Sequence, residues 1–117
     1  MKFILLVSLI LFLFLFLPPS LAQNQASAII YISETCEHCV PEIPEIKKAL
    51  AEAKIINVQV KTIINNLTNR RELEDLHHKL NVPTFMRGHL VVAVDNRFLF
   101  EGHVPPALIS RFLINSK

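Results

Sequence analysis

Two cysteines, Cys36 and Cys39, stand two residues apart where one hydrophobic pattern gives way to another. Before them, Ala28-Ile29-Ile30-Tyr31-Ile32 is short, apolar and rich in branched and aromatic side chains, which reads as a buried strand. After the polar junction Ser33-Glu34-Thr35 and the cysteines, Val40, Ile43, Ile46, Ala49, Leu50 and Ala53 recur at the spacing of one amphipathic helix. Pro41 suits the first turn of that helix. Pro44 lies further in and is expected to kink or delay it, because proline lacks the N–H that the helical ladder needs. From Ala28 the chain thus begins an alternation of strand and helix, with the dithiol at the first junction.

The remaining sequence supplies that alternation. Ile55 to Ile63 places Ile56, Val58 and Val60 on one side and Asn57, Gln59 and Lys61 on the other, the period-two signature of a strand, and Asn65-Asn66 ends it. Asn69 with Glu72 three residues on reads as the cap of a second helix whose buried stripe is Leu73, Leu76 and Leu80. His77 and His78 fall on that helix and read as a partly exposed pair. Beyond Asn81-Val82-Pro83, Leu90–Val94, the turn Asp95-Asn96 and Arg97–Glu101 form a hairpin closed by Gly102. Pro105-Pro106 opens a last helix with Leu108, Ile109, Phe112 and Leu113 apolar. The expected order is strand, helix, strand, helix, strand, strand, helix, with no internal repeat.

With 117 residues the chain has room for one domain. Residues 1–22 resemble an export signal: Lys2 gives a positive end, Phe3 to Leu17 carries no charge, and Pro18-Pro19-Ser20-Leu21-Ala22 offers a helix break and a small-x-small cleavage pattern. The apolar run has 15 residues, whereas a spanning helix needs about 20, so cleavage is expected over a retained membrane anchor. The domain proper is then 23–117, exported to a periplasmic or extracellular location, where disulfides form and persist. Its 11 basic and 10 acidic side chains nearly cancel, and nothing in them suggests a nucleic-acid partner.

A sulfur at a helix start meets unpaired N–H groups and the positive end of the helix dipole, both of which favour thiolate over a thiol of ordinary pKa about 8.5. Cys36 is accordingly the expected attacking residue. Cys39, two residues on, is expected to resolve the mixed disulfide that Cys36 forms. As a cation, His38 between them would stabilise the thiolate further, and Glu37 would oppose it if close. A purely stabilising bridge is disfavoured, because closing so short a loop removes little chain entropy. Haem attachment would need His where Val40 stands, and a structural zinc site would need a second ligand pair. No cofactor is expected. The expected partners are protein thiols or disulfides and a redox partner that recycles the dithiol, with membrane contact only if the N-terminal segment is retained.

The element order and the placement of Cys36-Glu37-His38-Cys39 resemble the thioredoxin superfamily from Ala28 to Leu113, and the Glu37-His38 spacer is similar to that of exported bacterial disulfide oxidases. The resemblance implies a thioredoxin-like α/β fold of order βαβαββα, with a central mixed four-stranded sheet flanked by helices. It also implies a cis Val-Pro bond facing the dithiol, for which Val82-Pro83 is the matching pair, making Pro83 a site residue. Thr35 stands where those proteins carry tryptophan, Ile30 replaces their buried acid, and Thr84–His89 intervene between the proline and the hairpin. Arg87-Gly88-His89 and Glu101-Gly102-His103-Val104-Pro105 are similar to segments of small thioredoxin-like domains regarded as metal binders. The alternative is thus a site for copper or zinc made of Cys36, Cys39, His89 and His103.

Overall fold

In a computed structural model, which describes residues 2–15 and 25–117, the expected mixed four-stranded sheet is present. An N-terminal helix, α1 (Lys2–Leu15), precedes it. At 14 residues it extends about 21 Å, and no helix among the described residues is long and apolar enough to cross a membrane. The proposed cleavage segment, Pro18–Ala22, lies outside the described residues.

The sheet runs β2 (Asn57–Thr62), β1 (Ser27–Ile32), β3 (Leu90–Val94), β4 (Phe98–Glu101). β1 pairs in parallel with β2 and antiparallel with β3, and β3 pairs antiparallel with β4. The two central strands are the ones whose apolar runs lack alternation: all five residues of β3 are buried, as are Ala28, Ile30, Tyr31 and Ile32 of β1. β2 keeps its period-two pattern but lies at an edge, so only part of its apolar side is covered. Val58 packs on the core, whereas Val60 is 39% exposed and Ile56, expected in the strand but lying just ahead of it, is 82% exposed. The β3–β4 turn has Asp95 and Asn96 both at φ 52°, and the Arg97 N–H donates to Val94 O at 3.0 Å. These residue types tolerate the left-handed region that such a turn requires.

Helices α2 (Ile43–Glu52) and α4 (Pro106–Asn115) cover one sheet face, packing Ile46, Leu50, Ala53, Ile109 and Leu113 against Ala28, Ile30, Ile32, Val92 and Val94. Helix α3 (Leu67–Lys79) covers the other with Leu73 and Leu76 against Tyr31, Val91 and Ala93. Its cap differs from the expected one. Asn66, not Asn69, is the capping residue, its side chain accepting from the Asn69 N–H at 3.0 Å. Asn69 instead donates its side-chain amide to Thr62 O, and Glu72 turns to Tyr31 and Lys61. The sequence offers asparagine at both positions, and only the path of the β2–α3 connection selects between them.

Candidate functional site: a disulfide at the end of the central strand

The chain leaves β1 at Ile32 and at once makes a series of tight turns. The Cys36 N–H donates to Ser33 O (3.1 Å), Cys39 N–H to Cys36 O (3.2 Å) and Glu42 N–H to Cys39 O (3.2 Å). A 3-10 turn over Val40–Glu42 follows, and the α-helix proper begins only at Ile43. The delay expected from the prolines is therefore real. Pro41 and Pro44 each withhold an N–H, so the chain spends a tighter turn before the regular ladder closes. Two expectations shift as a result. Val40 is 54% exposed rather than part of the buried stripe. Cys36 also sits seven residues ahead of the helix start, beyond the first turn in which a helix dipole acts strongly.

Cys36 and Cys39 are joined as a disulfide with their Cα atoms 5.4 Å apart. The two sulfur residues are unlike in environment. Cys39 is fully buried and belongs to the core beneath α2 and α4, while Cys36 packs against that core and keeps part of its surface exposed. Glu37 and His38 are both exposed. His38 makes no hydrogen bond or ion pair among the described residues.

The corner is fixed from two sides. Buried Ser33 donates its N–H to His89 O at 2.9 Å, and its hydroxyl lies 2.9 Å from that of Thr35. Glu34 reaches across to the β2–α3 connection and accepts from the N–H groups of Ile64 (2.7 Å) and Asn65 (3.1 Å). Desolvation opposes its ionisation, but the backbone N–H groups outweigh it and hold the Glu34 carboxyl down at about 2.

Of the histidines proposed beside the dithiol, the structure brings in one. A ring nitrogen of His103 and the sulfurs of Cys36 and Cys39 lie within 4.8 Å of one another. His103 is anchored through Nδ1, 2.8 Å from Glu42 Oε1 in the 3-10 turn. The His89 side chain is outside this group, and that residue contributes its backbone carbonyl instead. Pro83 also departs from expectation. There is no cis bond among the described residues, so Val82-Pro83 is trans, and Pro83 opens a short 3-10 turn over Thr84–Met86. With six residues between it and β3, the backbone bonded to the dithiol corner is that of His89.

A second group of residues was not expected from the sequence. His77 is buried, not partly exposed, and its Nε2 lies 2.5 Å from Glu101 Oε1 at the end of β4. The other Glu101 oxygen accepts from the Gly88 N–H at 3.0 Å. Gly88 packs so closely on Gly102 that a Cβ there would lie 2.7 Å from Gly102 N. The close approach accounts for glycine at this step. The available signal was a histidine on the buried side of α3, one position from Leu76, facing a glutamate that ends an apolar strand.

No family model matches the chain, and no curated protein matches it. Among solved structures, it is similar to an uncharacterised thioredoxin-like protein from Clostridium perfringens, at 17% identity and a TM-score of 0.51, over 78% of this chain and 69% of that one. At that identity the likeness speaks to the fold alone. Sheet order, helix placement and this likeness agree that the chain has a thioredoxin-like fold, with a Cys36–Cys39 disulfide at the carboxyl end of its first strand.

Proposed function

We propose that this protein is an exported thiol-disulfide oxidoreductase that exchanges disulfides with protein substrates. The observation that carries the reading is the unequal burial of the two sulfur residues, because exchange needs one accessible sulfur and one protected partner. A substrate thiolate attacks Cys36 Sγ and forms a new S–S bond. The Cys36–Cys39 bond breaks, and its electron pair goes to Cys39 Sγ, leaving Cys39 as thiolate or, after proton uptake, thiol. A second substrate thiolate then attacks the substrate sulfur of the mixed disulfide. The substrate leaves oxidised and the protein leaves as the dithiol, ready for recycling by a redox partner. Run in reverse, the Cys36 thiolate attacks a substrate disulfide and Cys39 resolves the adduct. The export assignment rests on the N-terminal pattern of residues 1–22 and on the presence of a dithiol suited to an oxidising compartment.

The experiment is trapping. A Cys39→Ser variant should accumulate mixed disulfides through Cys36 that thiol reductant releases, and a Cys36→Ser variant should trap none. Equal absence of adducts in both variants would overturn the reading.

The approach of His103 to both sulfurs supports a second reading, in which the reduced pair and His103 hold a soft ion such as copper(I) or zinc. Two thiolates and an imidazole suit that chemistry, and Glu42, 2.8 Å from Nδ1 of His103, fixes the orientation of that ring. Metal titration of the reduced protein against a His103→Ala variant separates the two readings, since loss of His103 weakens metal binding and leaves adduct trapping in place.

A further inference from the structure

The two backbone arms that flank the disulfide are Arg87–His89, entering β3, and Gly102–Val104, leaving β4. Each is engaged with the dithiol corner: His89 O accepts from Ser33 N–H, the His103 ring meets both sulfurs, and Val104 packs on the core that contains Cys39. The arms are also joined to each other. Gly102 N–H donates to Leu90 O at 2.7 Å, and the Gly88 Cα faces the Gly102 backbone with no room for a side chain. One side chain links this junction to the opposite face of the sheet. Glu101, 12% exposed, accepts the Gly88 N–H with one oxygen and meets His77 of α3 with the other. His77 is itself tied in by its carbonyl, which accepts from Val82 N–H at 2.9 Å, and Val82 O accepts from the Arg87 guanidinium. A hydrogen-bonded chain thus runs from α3 through Glu101 to the Gly88 arm, while Glu101 is directly bonded in sequence to Gly102 at the start of the other arm.

We propose that Glu101 is a positioning residue for the dithiol. By clamping both arms to α3, it keeps Cys39 covered and leaves Cys36 as the sulfur that an incoming thiolate can reach. It therefore sets which sulfur is attacked. Two properties of the contact suit that role. A largely buried carboxylate oxygen accepting a backbone N–H makes a strong, directional bond, and breaking it leaves polar groups unpaired and mostly shielded from water. The residue it holds is a glycine in close backbone contact, so a small displacement of Gly88 is passed directly to Gly102 and thus to His103 and Val104.

The inference rests on the exchange reading, but its test reads the chemistry of the dithiol alone. The reduced full chain is treated briefly with iodoacetamide, and modification at Cys36 and Cys39 is resolved by fragment mass spectrometry, with global stability measured in parallel. The native protein should be modified at Cys36 with little at Cys39. Glu101→Ala should raise the Cys39 share about tenfold or more, the scale on which a lost bond to a charged acceptor shifts a local opening equilibrium. Glu101→Gln should restore selectivity, because its amide oxygen can accept from Gly88 while its NH2 donates to His77. Gly88→Ala should reproduce the Glu101→Ala pattern with the carboxylate intact, by forcing the arms apart. If Glu101→Ala does not fold, His77→Ala carries the test, and a raised Cys39 share is again expected. Unchanged selectivity in Glu101→Ala, or in His77→Ala where that replaces it, would overturn the proposal. So would Glu101→Gln behaving like Glu101→Ala. Absence of mixed disulfides in the trapping experiment would defeat the exchange reading and leave this selectivity measurement standing.

Discussion

The two faces of the sheet are built differently. The α2/α4 face has an apolar core: Ile30, Ile46, Leu50, Val92, Ile109 and Leu113 are buried side chains without polar atoms, Cys39 sits among them, and the buried Ser110 hydroxyl of α4 is satisfied by Glu52 of α2 at 3.1 Å. The α3 face has a thinner apolar layer, and polar groups complete it. The Tyr31 hydroxyl donates to Glu72 at 2.5 Å, Lys61 meets the same carboxylate at 2.7 Å, and His77 meets Glu101. The difference teaches where each task falls. A sulfur shielded from solvent needs the apolar core. Fixing the loops around it needs groups that can hold backbone N–H and C=O in place, and these come from the polar side or the sheet end.

The largest effect that sharpens this contrast is in the core. Leu50→Ala on the α2/α4 face should cost about 3–5 kcal/mol, because a fully buried leucine leaves a cavity that the close-packed surroundings fill poorly. It should also raise Cys39 reactivity. Leu76→Ala on the α3 face should cost about 2–3 kcal/mol and leave Cys39 reactivity unchanged, the residue being nearer solvent at 6% exposure. Denaturant unfolding with thiol modification reads both, and equal effects from the two variants would erase the contrast.

Smaller effects probe the polar network. Burial first, then the hydrogen bond and charge of Glu72, push the Tyr31 hydroxyl up, so it stays protonated and donates throughout the neutral range. Tyr31→Phe should therefore cost about 1 kcal/mol, the usual net worth of such a bond, with a larger loss marking Glu72 as more dependent on Tyr31 than on Lys61. Glu72 itself is held below the usual carboxylate range by the Lys61 ammonium and then by Tyr31, against some desolvation. A carboxyl depressed in the folded state takes up protons more readily when unfolded, so its contribution is complete above its ordinary value and is lost as pH falls through the folded one. Because Lys61 and Glu72 are both partly exposed, at 24% and 39%, this slope should be shallow and should flatten further in salt.

The smallest effect is local. Glu34 titrates at about 2 rather than 4.5, so the connection at Ile64 and Asn65 should lose amide protection as pH drops between those values. Hydrogen exchange at these two amides checks this. Protection that stays constant down to pH 2 would remove Glu34 as the anchor of the dithiol corner.

Much of this arrangement was legible in the chain. The periodicities locate the four strands and the three α-helices of the domain, though not the 3-10 turns at Val40–Glu42 and Thr84–Met86. Asp95-Asn96 announces its turn because those side chains tolerate left-handed backbone, and the spacing of Cys36 and Cys39 announces the disulfide. What escaped reading depends on long-range partners. His77 and Glu101 meet across 24 residues, Glu34 and Ile64 across 30, and His103 and Glu42 across 61, and neither member of these pairs signals the other locally. The choice between Asn66 and Asn69 as cap turned on a chain path that local pattern does not encode. The trans Val82-Pro83 bond shows the limit of resemblance: the proline opens a 3-10 turn over Thr84–Met86, and the expected cis bond is absent.

The reduction potential of the Cys36–Cys39 pair, measured by equilibration with glutathione buffers, tests the central claim most directly. An exchanging disulfide should equilibrate within the range of about −120 to −270 mV seen for working dithiols. A potential below about −300 mV, where inert structural bridges lie, would contradict the account.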